Sequence, residues 1–154
     1  MIRGAVSAER GVTLIELMVV VVVIAILGSI AVPTYRNYVL RAQRSDATTE
    51  LLRIRSAQEK FFLQNHRYAA DTDEMSDAPP GGLGISATSE HGLCQLSLVS
   101  PDPGRAGVVS FLATATAIAG QTDDGQCQTF TVNDLGERTA ENGGGTDTTV
   151  QCWR

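Results

Sequence analysis

Residues 12–33 form an unbroken apolar segment with a single formal charge, Glu16. Its centre, LMVVVVVIAILGSIAV at 17–32, is hydrophobic all round, which excludes an ordinary surface helix. As a helix, residues 12–33 would span about 33 Å at 1.5 Å per residue. The hydrocarbon core of a bilayer is about 30 Å thick. The segment therefore predicts a transmembrane helix. Arg3 and Arg10 precede it, and a positive flank of this kind holds the N-terminus in the cytoplasm. The rest of the chain would then lie outside.

A cleaved secretory signal also has a basic start and an apolar stretch. Gly28-Ser29-Ile30-Ala31 loosely fits its small-residue cleavage site. Two features oppose that reading: Glu16 lies inside the segment near its start, and the helical pattern continues past Pro33. Glu16 is the informative anomaly, because an unpaired carboxylate at the edge of hydrocarbon is costly. Either it reaches water at headgroup level, or it is kept to meet a specific cation inside an apolar assembly.

From Thr34 to Ala78 there is no glycine or proline. Ala47, Leu51, Ile54, Gln58 and Phe61 recur at i, i+4, i+7, i+11 and i+14, a mostly apolar helical stripe. Arg44, Arg55 and Glu59 mark the opposite side. One long helix is expected from about residue 13 to about residue 63. Its first half is apolar all round and its second half is amphipathic, needing a domain to lie on. Pro33 should kink or locally open it by removing a backbone donor, and Gly28-Ser29 weakens the same region. Tyr35 and Tyr38 suit a membrane interface and equally suit subunit packing.

Residues 65–89 are dense in turn signals, with Pro79-Pro80 and Gly81-Gly82. The acids Asp71, Asp73 and Asp77 do not have the spacing of an EF-hand loop, so a solvated loop is expected there. Three period-two runs follow. Cys94, Leu96 and Leu98 alternate with polar residues, as do Val109, Phe111, Ala113, Ala115 and Ala117, and then Phe130 and Val132. Such runs predict a half-buried antiparallel sheet covering the 47–61 stripe. Pro101-Asp102-Pro103-Gly104 and Asp123-Asp124-Gly125 read as turns between them.

The chain has 154 residues, three Cys and two His. His91 and His66 have no catalytic or metal-ligand pattern around them, so no enzyme, metal or cofactor is expected. The net charge is −5, against a general nucleic-acid binder, and no direct nucleic-acid site is identifiable. The distribution is uneven: residues 36–67 carry seven bases and three acids, and the chain from residue 68 on carries three bases and twelve acids. That suits a chain that packs against copies of itself, although two solvated faces of opposite bias would look the same. Cys127 and Cys152 bracket a glycine-rich stretch; closing that loop would contribute roughly 3 kcal/mol by chain entropy. Cys94 on its strand face is expected buried and unpaired, with Cys94–Cys127 as the alternative pairing.

Arg10-Gly11-Val12-Thr13-Leu14-Ile15-Glu16-Leu17, followed by the apolar run and Pro33, resembles the class III leader and mature start of a type IV prepilin. The usual first mature Phe is here Val12. The resemblance implies cleavage after Gly11 by prepilin peptidase and N-methylation of Val12. It also implies that Glu16 pairs with the Val12 amine of a neighbouring subunit. The stretch from Cys127 to Ala140 (CQTFTVNDLGERTA) and the terminal Cys152-Trp153-Arg154 resemble the disulfide-bounded C-terminal region of PilE-type minor pilins. The middle of the chain, residues 71–126, matches in architecture alone, and Trp153 reads as a packing residue.

By resemblance the fold class is α+β, a pilin fold. The apolar half of a long helix projects, its amphipathic half lies on a four-stranded antiparallel sheet, and a disulfide-bounded loop ends the chain. The implied divisions are a cleaved leader at 1–11, a transmembrane or filament-core helix at 12–33 and a periplasmic or extracellular head at 34–154. The implied function is that of a structural subunit, a minor pilin, serving adhesion, twitching motility or DNA uptake. Its implied partners are other pilin subunits, the peptidase and the inner-membrane assembly machinery. A type II secretion pseudopilin and a membrane-anchored periplasmic enzyme are the alternatives.

Overall fold

A computed structural model of the chain describes residues 11–105 and 109–153. The chain divides into two compact units, residues 1–37 and 38–154. Helix α1, Leu14–Asn65, contributes to both and runs through Pro33 without interruption. It starts where Thr13 caps it: the Thr13 hydroxyl accepts the Glu16 amide at 3.3 Å, and the Thr13 carbonyl accepts that of Leu17 at 3.2 Å. A threonine is a strong N-cap because its oxygen satisfies an amide that has no intrahelical partner. Glu16 in the first turn adds a favourable charge at the positive end of the helix dipole.

Beyond residue 38 the helix changes character. Ala47, Leu51, Ile54, Gln58 and Phe61 are all buried, so the expected stripe is the one that packs. The opposite side differs from expectation. Glu59 is exposed, but Arg44 and Arg55 are partly covered. Arg44 grips Asp124 through both carboxylate oxygens, at 2.6 and 3.0 Å. Asp46 and Glu50 are also buried, beside the apolar stripe.

The sheet is a four-stranded antiparallel meander, β1 Cys94–Val99, β2 Leu112–Ala117, β3 Thr129–Asn133 and β4 Arg138–Glu141. The register sets Leu96, Ala115, Phe130 and Ala140 in one row, and Leu98, Ala113 and Val132 in the next. All of these belong to one core cluster with the buried stripe of α1. Small alanines on central β2, flanked by larger residues on β1 and β3, leave room for the bulk of Leu51 and Ile54. Val109 departs from the expected inward set: it is 64% exposed, because the ladder begins at Leu112 and alternation does not apply before it.

β4 carries no clear alternation and is built by its turn. Asn133 and Gly136 close a tight reversal, Gly136 lies at φ +80°, and the Asn133 side chain bonds both the amide and the carboxylate of Glu137. That is a type I turn followed by a left-handed residue, a common hairpin closure. Both sheet edges are covered by the chain itself. Ala87 and Thr72 accept the Leu96 and Leu98 amides of β1, while Thr148 and Thr149 bond both polar groups of Ala140 on β4. Covered edges cannot template further strands.

Residues 72–76 form a short helix, α2 (Thr72–Ser76), within the stretch expected to be loop. Asp71 caps it, accepting the Glu74 amide at 2.9 Å, and Met75 is fully buried. Part of this acidic cluster therefore serves helix capping. Gln58, also fully buried, joins α1 to this connector: its amide donates to the Ala69 carbonyl at 3.1 Å and accepts the Ala69 amide at 2.9 Å.

Candidate functional site: the helix start and its exposed apolar face

The sequence-predicted site residues fall into two groups. Gly11 and Val12 precede α1 in non-helical backbone, and both are exposed. Glu16 follows in the first helical turn with its side chain exposed, and Pro33 lies further along the same helix. Thr13 is the functional residue that sequence reading overlooked. The spacing Thr13-x-x-Glu16 is itself the signature of a helix start, and it identifies where helix ends and the Gly11–Val12 peptide begins.

Among the described residues, nothing in the first unit covers the apolar segment. Fifteen large apolar residues between Val12 and Val32 are about half exposed or more, from Val23 at 49% to Leu14 at 79%. Burying a side chain of this kind is worth about 1.5–3 kcal/mol. Scaled by the surface still exposed, the segment left in water forgoes roughly 15–25 kcal/mol, as much as or more than the whole stability of an ordinary domain. Only lipid or other apolar helices can supply that burial. By length and composition the helix is able to cross a membrane.

The second group is at the other end of the chain. Cys127 and Cys152 form a disulfide with a Cα–Cα distance of 5.8 Å, and Cys94 is buried and free. The open alternative, Cys94–Cys127, is thereby settled against. Burial, and secondarily the negative charge of Asp46, push the Cys94 thiol up to about 11. Within the disulfide loop, the Thr148 hydroxyl donates to the Gln126 carbonyl at 2.8 Å. Trp153 packs edge-on against Phe130, donates its indole N–H to Thr139 at 2.7 Å and carries the Arg138 guanidinium on its ring. It is a packing residue. His66 and His91 have no nucleophile pattern, and among the described residues no cluster of three or more His, Cys, Asp or Glu could hold a metal.

Two family models match the chain. The prokaryotic N-terminal methylation motif covers residues 6–32. The model described as type IV minor pilin ComP, DNA uptake sequence receptor, covers residues 33–131, well over half of the chain. The chain belongs to the type IV pilins. The second match runs through residues 71–126, where the resemblance had been architectural alone. Among similar proteins, the type IV major pilin PilA of Myxococcus xanthus is 38% identical over 90 residues, 57% of this pilin and 41% of that protein. A fimbrial protein of Pseudomonas aeruginosa is 43% identical over 58 residues, 38% of each chain. The fimbrial protein EcpC of Eikenella corrodens is 32% identical over 113 residues, 73% of this pilin and 68% of its own length. The first two matches thus span less than half of those relatives. This pilin is a structural protein by family, with the apolar helix and the four-stranded sheet already described.

Proposed function

We propose that this chain is a minor subunit of a type IV pilus. It waits in the inner membrane with its N-terminus in the cytoplasm. Prepilin peptidase cuts after Gly11 and methylates the Val12 amine, and the assembly machinery then moves the subunit into or beneath a growing filament. The observation that carries this reading is the uncovered apolar face of residues 12–32 directly behind the methylation motif. Lipid buries that face before assembly and neighbouring helices bury it afterwards. In the filament, Glu16 pairs with the methylated amine of an adjacent subunit, because a lone charge in that core would be strongly disfavoured while a neutralised pair is tolerated. Pro33, with no amide to give the Ser29 carbonyl, supplies the compliant point of the helix. Minor rather than major status rests on the description of the family model covering residues 33–131.

The test is the intact mass of the protein extracted from membranes. A mass that begins at Val12 and includes one added methyl group is the expected result. A chain that still begins at Met1, or beyond residue 31, overturns the reading.

The same family description favours a second reading, in which the head engages DNA during uptake. The charge of the head disfavours it. Four of its arginines are engaged by carboxylates: Arg44 by Asp124, Arg53 by Glu50, Arg67 by Glu74 and Arg105 by Asp134. Phosphate binding needs cations free to displace counterions, and its affinity falls steeply with salt. Fluorescence anisotropy of labelled duplex DNA with the detergent-solubilised chain separates the two readings. Salt-sensitive binding supports the receptor role, and no binding at low salt refutes it.

A further inference from the structure

Within the head, one ion pair joins segments distant in sequence in a way the pilin role does not explain. Residues Ser89 to Gly92 form a tight turn just before β1. The Gly92 amide donates to the Ser89 carbonyl at 2.9 Å, and Gly92 lies at φ +69°. The Ser89 hydroxyl accepts the amides of Leu93 and Cys94, at 3.1 and 2.9 Å, which fixes the turn to the start of β1. The turn presents His91 to α1, where its Nδ1 lies 2.9 Å from an Asp46 carboxylate oxygen. The two partners differ in exposure: the His91 side chain is 70% exposed and that of Asp46 only 6%. The second Asp46 oxygen is buried and has no hydrogen-bond partner, so the pairing of that carboxylate falls to the turn: the Ser89 hydroxyl, then the His91 ring and backbone, of which the ring alone carries a titratable charge.

We propose that the His91–Asp46 contact is a pH-operated latch that fastens the turn before β1 to α1, closed in mild acid and loosened in alkali. A hydrogen bond between two charged groups is about twice as strong as its neutral counterpart. A protonated His91 therefore holds Asp46 more firmly than a neutral one. Leaving a buried carboxylate with a weakened partner favours opening of the turn, and Cys94, at the start of β1, is uncovered when the turn leaves.

The charged surroundings are few. Glu90 sits beside His91 in the turn and acts in the same direction on it, and the Cys94 thiol of β1 feels the Asp46 charge. On α1, Arg44 is engaged by Asp124 and Glu50 by Arg53. The hydrogen bond to Asp46, then its charge, hold His91 protonated above its ordinary value of 6.5. Burial alone would raise Asp46, but hydrogen bonding and the histidine charge outweigh it and hold the carboxyl below its ordinary 3.8. The signs follow. The His91 contribution is fully present below pH 6.5 and is lost as pH rises through the raised value. The Asp46 contribution is present above pH 3.8 and is lost only as pH falls through the lowered value. The latch is closed between those limits.

Cys94 is the built-in reporter, since the other two cysteines are bonded to each other. The full chain in detergent micelles is labelled with iodoacetamide from pH 5.5 to 8.5. Each rate is divided by that of the same chain in denaturant at the same pH, which cancels the ionisation of a thiol that reacts from the opened state, and His91→Gln, treated in the same way, corrects for any reaction within the fold, where the thiol is raised. We expect the normalised rate to rise roughly threefold or more across that range in the wild type relative to His91→Gln. A wild-type profile that runs parallel to that of His91→Gln overturns the latch. NMR titration of the His91 ring gives a second reading that does not depend on opening. Its midpoint should fall in Asp46→Asn while that of exposed His66 stays put, and an unmoved His91 midpoint overturns the pairing.

Discussion

Replacing Gln58 with methionine tests whether α1 is held by its apolar stripe alone. Methionine nearly matches glutamine in length and volume, so the change leaves little cavity. What it removes is the pair of hydrogen bonds to the Ala69 peptide, at 3.1 and 2.9 Å. Ala69 is itself fully buried. Its N–H and C=O would then be left inside the core without partners. Each buried group so orphaned costs about 1–3 kcal/mol, and the methionine returns part of that through better apolar burial. The net loss is about 2–4 kcal/mol. For a chain of this size a kcal/mol moves Tm by about 3 °C, which gives a drop of about 6–12 °C. Near-UV circular dichroism of Trp153 during heating of the detergent-solubilised chain reads it. Exposed Gln64→Met, on the same helix, should move Tm by no more than about 1–2 °C and serves as the control. A Gln58→Met Tm within 2 °C of the wild type would show that the Ala69 peptide finds other partners and that the amide clasp is not a fastening.

Two other changes probe the C-terminal half. Cys152→Ser opens the Cys127–Cys152 loop and should lower stability by roughly 3 kcal/mol, or roughly 9 °C in Tm; an unchanged Tm contradicts a stabilising bond. Gly136→Ala places a Cβ 2.9 Å from the Arg55 guanidinium on a backbone at φ +80°, so a loss of about 1 kcal/mol or more is expected in thermal melts. The double variant with Arg55→Ala should recover the steric part of that loss and keep the backbone part, and full recovery would refute the φ argument.

The parts of this fold that were legible in the sequence are those whose partner is simply "apolar". The stripe from Ala47 to Phe61 and the inward sets of β1 and β3 all pack as their periods require. The membrane-length segment at 12–33 needs no partner within the chain at all, so composition alone exposes it. What stayed hidden depends on partners far away in sequence. Asp46 looks like a surface acid until His91, 45 residues on, is brought to it. Arg44 looks solvated until Asp124, 80 residues on, takes its guanidinium. β4, with one buried residue in Arg-Thr-Ala-Glu, has no period to read. Its signal lay in the turn instead, where Asn133 and Gly136 dictate a hairpin. Likewise Asp71 stands in an acidic run whose charge draws attention, while its use is as a cap on α2.

Glu16 has two explanations, one local and one intermolecular, and one substitution separates them. Locally, the Glu16 amide is capped by Thr13, and an acidic residue in the first turn favours the helix dipole. Those two contacts are sufficient reason for a carboxylate there. In the proposed filament, the same carboxylate neutralises a neighbouring amine within an apolar core. Glu16→Gln keeps a side chain that completes a capping box as glutamate does, and it removes only the charge. The helix-dipole loss is about 0.3–1 kcal/mol, too small to disturb processing or membrane residence. An unneutralised amine buried among the Leu17–Val32 surfaces of neighbouring subunits costs several kcal/mol, enough to reduce incorporation by about 100-fold or more. Quantifying the processed protein in sheared filaments against that in membranes gives the ratio. If Glu16→Gln enters filaments as well as the wild type does, the carboxylate serves its own helix start and the intermolecular pair has no role.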